Sequence, residues 1–324
     1  MPDAIGRLTA RNPRPEASAP VPAKRRAAAL LGALGLLAVP GCAGATPEFR
    51  VLQSAEVEGI VQAEVSYPSD SLTVRGFLFA APGDDRRPAV LFNHGGVSGV
   101  NEDMKRRGRE LARLGYVVFA PTYRGEGGSE GRVEVAAGEV DDVLAAAEIL
   151  GRHPRVDPAR IAVTGSSHGA LVSVLAAARA PDRFRCVVTA CGVLDVVSWY
   201  RYLVEKGFDV GDSLSVAVYG KGPEDRPEAF RVRQAVRVAP AIKIPILIQQ
   251  GEKDRIVPVE QARSFEQALR EAGHPGPVLR TYPLLGHAFW LWDDPKRHTP
   301  GEIGQAGQAW QDFLEFLAQH LKES

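Results

Sequence analysis

Short, unbroken runs of apolar residues constrain the fold of this chain more than any other feature of its sequence. Five of them follow one another, at residues 89–92, 116–120, 161–163, 186–190 and 246–248. Strands that lack alternation are buried on both faces, as in a parallel sheet covered by helices. Patterns of helical period separate the runs, so we expect an α/β fold with a mostly parallel central sheet and helices on both faces.

Two segments depart from this alternation. Residues 61–67 alternate apolar and polar side chains, and residues 72–81 read as a second strand after a turn at 68–71, which predicts an antiparallel start to the sheet. Residues from about 194 to 241 carry scattered aromatic side chains and a polar stretch. We interpret them as a small helical insertion over the carboxyl edge of the sheet, where open α/β sheets bind ligands. Residues 46–324 are expected to form one domain.

Residues 1–45 have a different character. A basic cluster, Lys24 to Arg26, precedes an apolar stretch at 27–39 and then small residues, which is the order of a secretory signal. Residues 39–42 resemble a bacterial lipoprotein signal in which Cys42 becomes lipidated, and cleavage after Ala45 is the alternative. The competing interpretation is a disordered tail. We expect an exported protein of the cell envelope or periplasm, anchored to the membrane through Cys42.

The charge balance and the motifs argue against several classes of partner. Lys plus Arg and Asp plus Glu both total 39, so the basic patch of a nucleic-acid-binding protein is not expected. The glycine-rich stretch at 125–131 lacks the Lys-Ser/Thr of a phosphate loop, and we expect no cofactor. Cys186 and Cys191 lie five residues apart in one apolar run, on opposite faces of a strand. They are predicted to be buried thiols without a disulfide or a metal site.

Ser167 has the sequence context of a nucleophile. An apolar strand runs into Gly-Ser-Ser-His-Gly at 165–169, and an apolar helix follows. This order of strand, tight turn and helix is that of a nucleophile elbow, in which the two glycines avoid collisions between the turn and its neighbours. A serine hydroxyl is a poor nucleophile until a base takes its proton, so a base must lie nearby.

His287 and Asp254 are the predicted base and its orienting acid. Of seven histidines, His287 follows a predicted strand at 278–282 in a loop that reaches the carboxyl edge of the sheet. Asp254 follows the buried strand at 245–250, with Glu252 as the competing carboxylate. The chain order serine, aspartate, histidine is that of the α/β-hydrolases.

The sequence also suggests residues that contact the substrate. Asn-His-Gly-Gly at 93–96 follows a buried strand, and we predict an oxyanion hole formed by the amide of Gly96, or of its neighbour Val97, together with the amide of His168. The aromatic side chains of Trp199, Tyr200 and Phe289 are expected to line the substrate pocket.

Five segments together resemble a known family. They are NHGG (93–96), PTYRGEGGS (121–129), GSSHG (165–169), IPILIQQGEKDRIVP (244–258) and YPLLGHAF (282–289). From about residue 88 to 318 the chain resembles the catalytic domain of the prolyl oligopeptidase family and related dienelactone-hydrolase-like esterases. The resemblance implies the α/β-hydrolase fold and a structural turn at 123–125. Because few residues precede the first predicted strand, we expect no N-terminal propeller domain.

The predicted function is that of a serine hydrolase. We expect it to cleave carboxylic ester or amide bonds through an acyl-enzyme formed on Ser167, with a small ester or a short peptide as substrate. Two alternatives stay open, a short-peptide peptidase of the prolyl oligopeptidase type and a non-catalytic binding protein with a hydrolase fold.

Overall fold

The computed structural model describes residues 48–321, and the predicted signal segment with Cys42 lies outside them. The strands are β1 (Arg50–Val57), β2 (Ile60–Ser69), β3 (Leu72–Ala80), β4 (Arg87–Asn93), β5 (Val117–Pro121), β6 (Val156–Ser166), β7 (Cys186–Ala190), β8 (Ile246–Gly251) and β9 (Val278–Tyr282). They form one sheet in the order β1-β2-β3-β5-β4-β6-β7-β8-β9. The pairs β1–β2, β2–β3 and β3–β5 are antiparallel, and the remaining pairs are parallel, which confirms the predicted sheet.

Helices occupy the connections between the parallel strands, and a last helix follows β9. They are α1 (Glu102–Arg113), α2 (Gly138–Arg152), α3 (His168–Arg179), α4 (Val196–Glu205), α5 (Ser213–Tyr219), α6 (Pro227–Arg231), α7 (Ala235–Val238), α8 (Glu260–Glu271) and α9 (Pro300–His320). Helices α4 to α7 lie between β7 and β8, so the predicted helical insertion is confirmed. No helix within residues 48–321 is long and apolar enough to span a membrane.

The apolar runs of the parallel strands β4 to β8 are buried on both faces, and the core is therefore divided into two layers. In β4, Ala89 and Leu91 belong to one layer while Val90 and Phe92 belong to the other. The first layer also contains apolar residues of α2, α3 and α8, and the second contains those of α1 and α9. This two-sided burial explains why these strands read as unbroken apolar runs in the sequence.

Strand β1 was not predicted from the sequence. It is an edge strand that pairs only with β2, and most of its side chains are exposed or half-buried. Such a strand carries no apolar alternation that periodicity could detect. The turn after β2 is also shorter than expected, because β2 continues to Ser69 and Asp70 adopts a positive φ of 51°.

The elbow between β6 and α3 depends on a close backbone contact. A Cβ on Gly165 would collide with the carbonyl group of Gly169 and approach the Ser173 hydroxyl to 2.9 Å. Glycine at this position thus allows the first turn of α3 to pack directly against the end of β6.

We predict that Gly165→Ala lowers the free energy of unfolding by about 1–3 kcal/mol, because overpacked backbone contacts relax poorly. Gly304→Ala is the matched control, since Gly304 lies in α9 and a Cβ added there would meet nothing within 4 Å beyond its chain neighbours and the backbone of its own helix. The control should gain about 0.5–1 kcal/mol from the better helix propensity of alanine. Urea titrations measure both changes, and equal stability of the two variants would contradict the close contact.

Candidate active site

The elbow holds Ser167 in a strained backbone conformation. Ser167 has φ 54° and ψ −118°, lies between β6 and α3, and is only 7% exposed. Its amide donates a hydrogen bond to the carbonyl of Ala190 at 2.8 Å, which ties the turn to the neighbouring strand β7. A serine at positive φ costs about 1–3 kcal/mol and persists only where the surroundings enforce it. The Ser167 side chain makes no capping hydrogen bond to the helix that it precedes, and its hydroxyl contacts His287 instead.

The structure brings the three residues of the predicted triad into one hydrogen-bonded chain. His287 Nε2 lies 3.0 Å from Ser167 Oγ, and His287 Nδ1 lies 2.7 Å from Asp254 Oδ2. A carboxylate only accepts hydrogen bonds, so the proton of the neutral ring is on Nδ1 and Nε2 is left to accept the serine proton. The arrangement has the geometry required for removal of that proton.

Asp254 is held in place by several donors. Its Oδ1 accepts hydrogen bonds from the amides of Ile256 and Val257, both at 2.9 Å. Gln250, which the sequence did not single out, donates to Asp254 Oδ2 at 3.3 Å and to the carbonyl of Val257 at 2.9 Å. The competing carboxylate of Glu252 is on an exposed residue. The acid that reaches the imidazole is thus Asp254.

The surroundings of His287 favour its protonated form. Burial acts to lower the pKa of the imidazole, but Cys191 and Asp254 outweigh it and raise the pKa above its ordinary value of 6.5. A raised pKa means that the site stabilises the imidazolium that forms when the ring accepts a proton from serine.

The predicted oxyanion residues lie against the elbow. A Cβ on Gly95 would be 3.2 Å from Ser167 Cβ, and Gly96 has a φ of 69° that favours glycine. His168 contributes more than its amide, because its Nδ1 lies 3.0 Å from the carbonyl of Gly96. Burial lowers the pKa of His168 to about 4, so the neutral ring donates this hydrogen bond and holds the loop beside the serine.

A second buried histidine, His94, belongs to the same loop and helps to hold it in place. The ring of His94 packs on that of Tyr123 with centroids 4.2 Å apart, and its Nε2 lies 3.6 Å from Glu126 Oε2. Glu126 also accepts a hydrogen bond from the amide of Gly99. Burial lowers the pKa of His94 to about 3 and raises that of Glu126 to about 8. Both groups are therefore neutral near pH 7.

The three predicted pocket aromatics have different surroundings. Trp199 is 8% exposed and donates from its indole nitrogen to the carbonyl of Ile256, two residues after Asp254. Tyr200 packs edge-on against Phe230 within the insertion. Phe289 has no exposed surface and packs against Tyr282, so the structure assigns it to the core rather than to a pocket wall.

Cys191 lies next to the triad, which the sequence did not reveal. Both Cys186 and Cys191 are free and buried, as predicted. Cys191 follows β7, however, and its sulfur lies within 4.8 Å of potential ligand atoms of both Asp254 and His287. The contact depends on the register of β7 against β8 and on two distant loops, so no local pattern could have signalled it.

The fold and this arrangement of serine, histidine and aspartate define a serine hydrolase of the α/β-hydrolase class. The chain belongs to the prolyl oligopeptidase family, whose profile matches residues 105–324. A Bacillus subtilis relative described as uncharacterized peptidase YtmA is 30% identical over 213 residues, which is 65% of this chain and 80% of that protein.

Solved structures share the fold. A puromycin-hydrolyzing peptidase of Mycobacterium tuberculosis superposes with a TM-score of 0.66 at 23% identity, over 81% of this chain and 40% of that one. A putative dienelactone hydrolase of Klebsiella pneumoniae gives a TM-score of 0.59 at 23% identity, over 80% and 99%. The chain covers 25% of the human acylamino-acid-releasing enzyme, to which it is 26% identical over 196 residues.

We predict that Asp254→Asn loses up to about 10⁴-fold in kcat, because the amide permits the wrong imidazole tautomer. Glu252→Gln is the matched control and should stay close to wild type, since Glu252 is exposed. Ester turnover and circular dichroism measure both variants. Greater damage from the Glu252 change would overturn the choice of Asp254.

The pH dependence of the same two enzymes tests the electrostatics. His287 acts as a base only when neutral, so activity should rise with pH along a single-proton limb. Because the pKa of His287 is raised, the limb of the wild type should lie above pH 6.5. Removal of the Asp254 charge should lower the pH at which the residual activity of Asp254→Asn rises. A rise at the wild-type pH would argue that this carboxylate does not face the ring.

Proposed function

We propose that this protein hydrolyses carboxylic esters or amides of small acyl groups, with Ser167 as nucleophile, His287 as general base and Asp254 as the acid that orients it. The observation that carries the proposal is the pair of hydrogen bonds at His287, whose Nε2 accepts from the Ser167 hydroxyl at 3.0 Å and whose Nδ1 donates to Asp254 at 2.7 Å. Its support is geometric, because a nucleophile, a base and an orienting group within hydrogen-bond distance form the arrangement that activates serine.

The reaction follows from these contacts. His287 Nε2 takes the Ser167 proton while Oγ attacks the substrate carbonyl, and Asp254 stabilises the resulting imidazolium. Negative charge develops on the carbonyl oxygen during the attack. The amides of Gly96 or Val97 and of His168 stabilise it by donating hydrogen bonds to that oxygen. The imidazolium then gives its proton to the leaving alcohol or amine. Water, activated by the same base, releases the acyl group from Ser167.

Small esters are the first candidate substrates and short peptides the second. The helical insertion adjoins the acid, because the Trp199 indole and the Tyr202 hydroxyl donate to the carbonyls of Ile256 and Arg255. Access to the triad is thus bordered by an ordered segment, which favours small substrates. The peptidase names of the Bacillus relative and of the Mycobacterium structure favour short peptides as the alternative.

A fluorophosphonate probe tests the nucleophile. We expect it to label the wild type and not Ser167→Ala, since the probe reacts with activated serine hydroxyls. Ser166→Ala is the control, because Ser166 is the adjacent hydroxyl at the end of β6. Labelling that persists in folded Ser167→Ala would refute the assignment. Turnover of a panel of p-nitrophenyl esters and dipeptide amides then separates the two substrate classes, and a wild type that neither labels nor turns over would support a binding protein.

We further propose that the protein is exported and anchored to a membrane through lipidated Cys42. The support is the order of a basic cluster, an apolar stretch and small residues before Cys42. One acyl chain binds membranes weakly and reversibly, whereas several chains on one terminus anchor stably.

Cell fractionation and mass spectrometry of the mature N-terminus test the anchor. We expect membrane-associated protein beginning at lipidated Cys42, and Cys42→Ala should abolish the lipid mass and release the protein from the membrane. A water-soluble exported protein beginning at Thr46 would reject the anchor and keep export. Cytoplasmic protein with residues 1–41 intact would reject both.

A further inference from the structure

We propose that Cys191, Asp254 and His287 form a binding site for a thiophilic divalent cation of the Zn²⁺ class, and that the bound cation inhibits the hydrolase. The thiol sulfur, a carboxylate oxygen and an imidazole nitrogen of these residues lie within 4.8 Å of one another. The binding site stands on this geometry alone. Its inhibitory effect rests on the proposed role of His287 as the base.

The backbone directs the Cys191 thiol toward the triad. Cys191 has a positive φ of 43°, outside the range of the strand that it follows. Its amide donates to the carbonyl of Gln249 on β8 at 2.9 Å, which fixes the residue against the strand that leads to Asp254. Asp254 is in turn fixed by the amides of Ile256 and Val257. Two of the three ligands are therefore ordered before any cation binds.

The ligand set selects one class of cation. A thiolate, an imidazole and a carboxylate are the three ligand types of zinc sites, and catalytic zinc sites keep a fourth position open. With Zn–S near 2.3 Å and Zn–N near 2.0 Å, tetrahedral ligands are about 3.5 Å apart, so the widest separation must close by little more than about 1 Å. Mg²⁺ and Ca²⁺ prefer oxygen ligands alone and should bind poorly.

Either mode of imidazole binding removes the base. When the cation binds, the Cys191 thiol releases its proton to solvent and its sulfur forms a bond to the metal. If His287 binds through Nε2, the lone pair that would take the serine proton is used. If it binds through Nδ1, the ring proton moves to Nε2, which then cannot accept another. Ser167 loses its activation in both cases.

Cd²⁺ is the probe, because its bond to a thiolate gives an ultraviolet charge-transfer band that does not depend on activity. The full-length protein carries Cys42→Ala, so that only Cys186 and Cys191 remain. We expect the band in this protein and in Cys186→Ala, and its loss in Cys191→Ala and Cys191→Ser. Cys186 is the matched control, as a buried thiol at the opposite end of β7.

His287→Ala should weaken Cd²⁺ binding by at least the roughly tenfold that follows loss of a hydrogen-bonding partner of a metal ligand. Zn²⁺ and Cd²⁺ should block fluorophosphonate labelling of Ser167, and Mg²⁺ should not. In Cys191→Ser, with labelling measured relative to the metal-free rate of that variant, the block should be at least about tenfold weaker.

Three outcomes would overturn the site. They are a band that persists in folded Cys191→Ser, a band that is lost in Cys186→Ala, and Cd²⁺ affinity that is unchanged in His287→Ala, which would indicate a single-thiol adduct. Ser167→Ala separates this inference from the proposed function, because it keeps all three ligands and should still give the band. A band without any labelling of metal-free wild type would refute the nucleophile and keep the site.

Discussion

Direct backbone contact between the elbow and the loop after β4 determines the geometry of the whole site. A Cβ on Gly169 would collide with the carbonyl oxygens of Asn93 and His94, so only glycine allows the first turn of α3 to approach this loop. Asn93 donates to the Ser173 hydroxyl at 2.8 Å, and that hydroxyl donates to the carbonyl of Gly169 at 2.7 Å. The position of Ser167 relative to the loop that carries Gly96 is thereby fixed by main-chain packing, which gives the site a rigid support.

Partners rather than burial decide which histidine of the site acts as base. His94 and His168 are buried and His287 is largely buried, and burial lowers the pKa of the first two far below neutrality. His168 faces a carbonyl, and His94 faces both a carbonyl and a carboxyl group, that of Glu126, whose own pKa is raised by burial. His287 instead faces the carboxylate of Asp254, and its pKa moves in the opposite direction. The two neutral rings contact the carbonyls of Gly95 and Gly96 and support that loop without competing for the serine proton.

The sequence predicted those features that local pattern determines. The buried strands were found because two-sided burial leaves a continuous apolar run, and Ser167 and Asp254 each come soon after such a strand. His287 follows the less buried strand β9, in a loop at the same edge of the sheet. Edge strand β1 escaped because none of its residues is fully buried. Gln250 and Cys191 escaped for another reason. The contact of Gln250 with Asp254 depends on the path of the loop after β8, and the position of Cys191 beside Asp254 and His287 depends on strand register and loop paths. Phe289 was wrongly predicted to line the pocket. It lies two residues after the base in the sequence, but its side chain is buried in the core.

The chemistry of the base also explains why a cation site would arise at this point. A serine hydrolase must stabilise a positive charge on its histidine during each turnover, and here buried Asp254 supplies the opposing charge. That negative charge attracts any cation of suitable size. A proton needs only one lone pair of the His287 ring, whereas a metal ion needs several ligands. With Asp254 alone beside it, the ring offers too few ligands to hold a metal ion against its hydration. The Cys191 sulfur adds a third ligand of the type that prefers zinc over magnesium. The same carboxylate that makes His287 a stronger base thus makes the neighbouring thiol part of a metal-binding group.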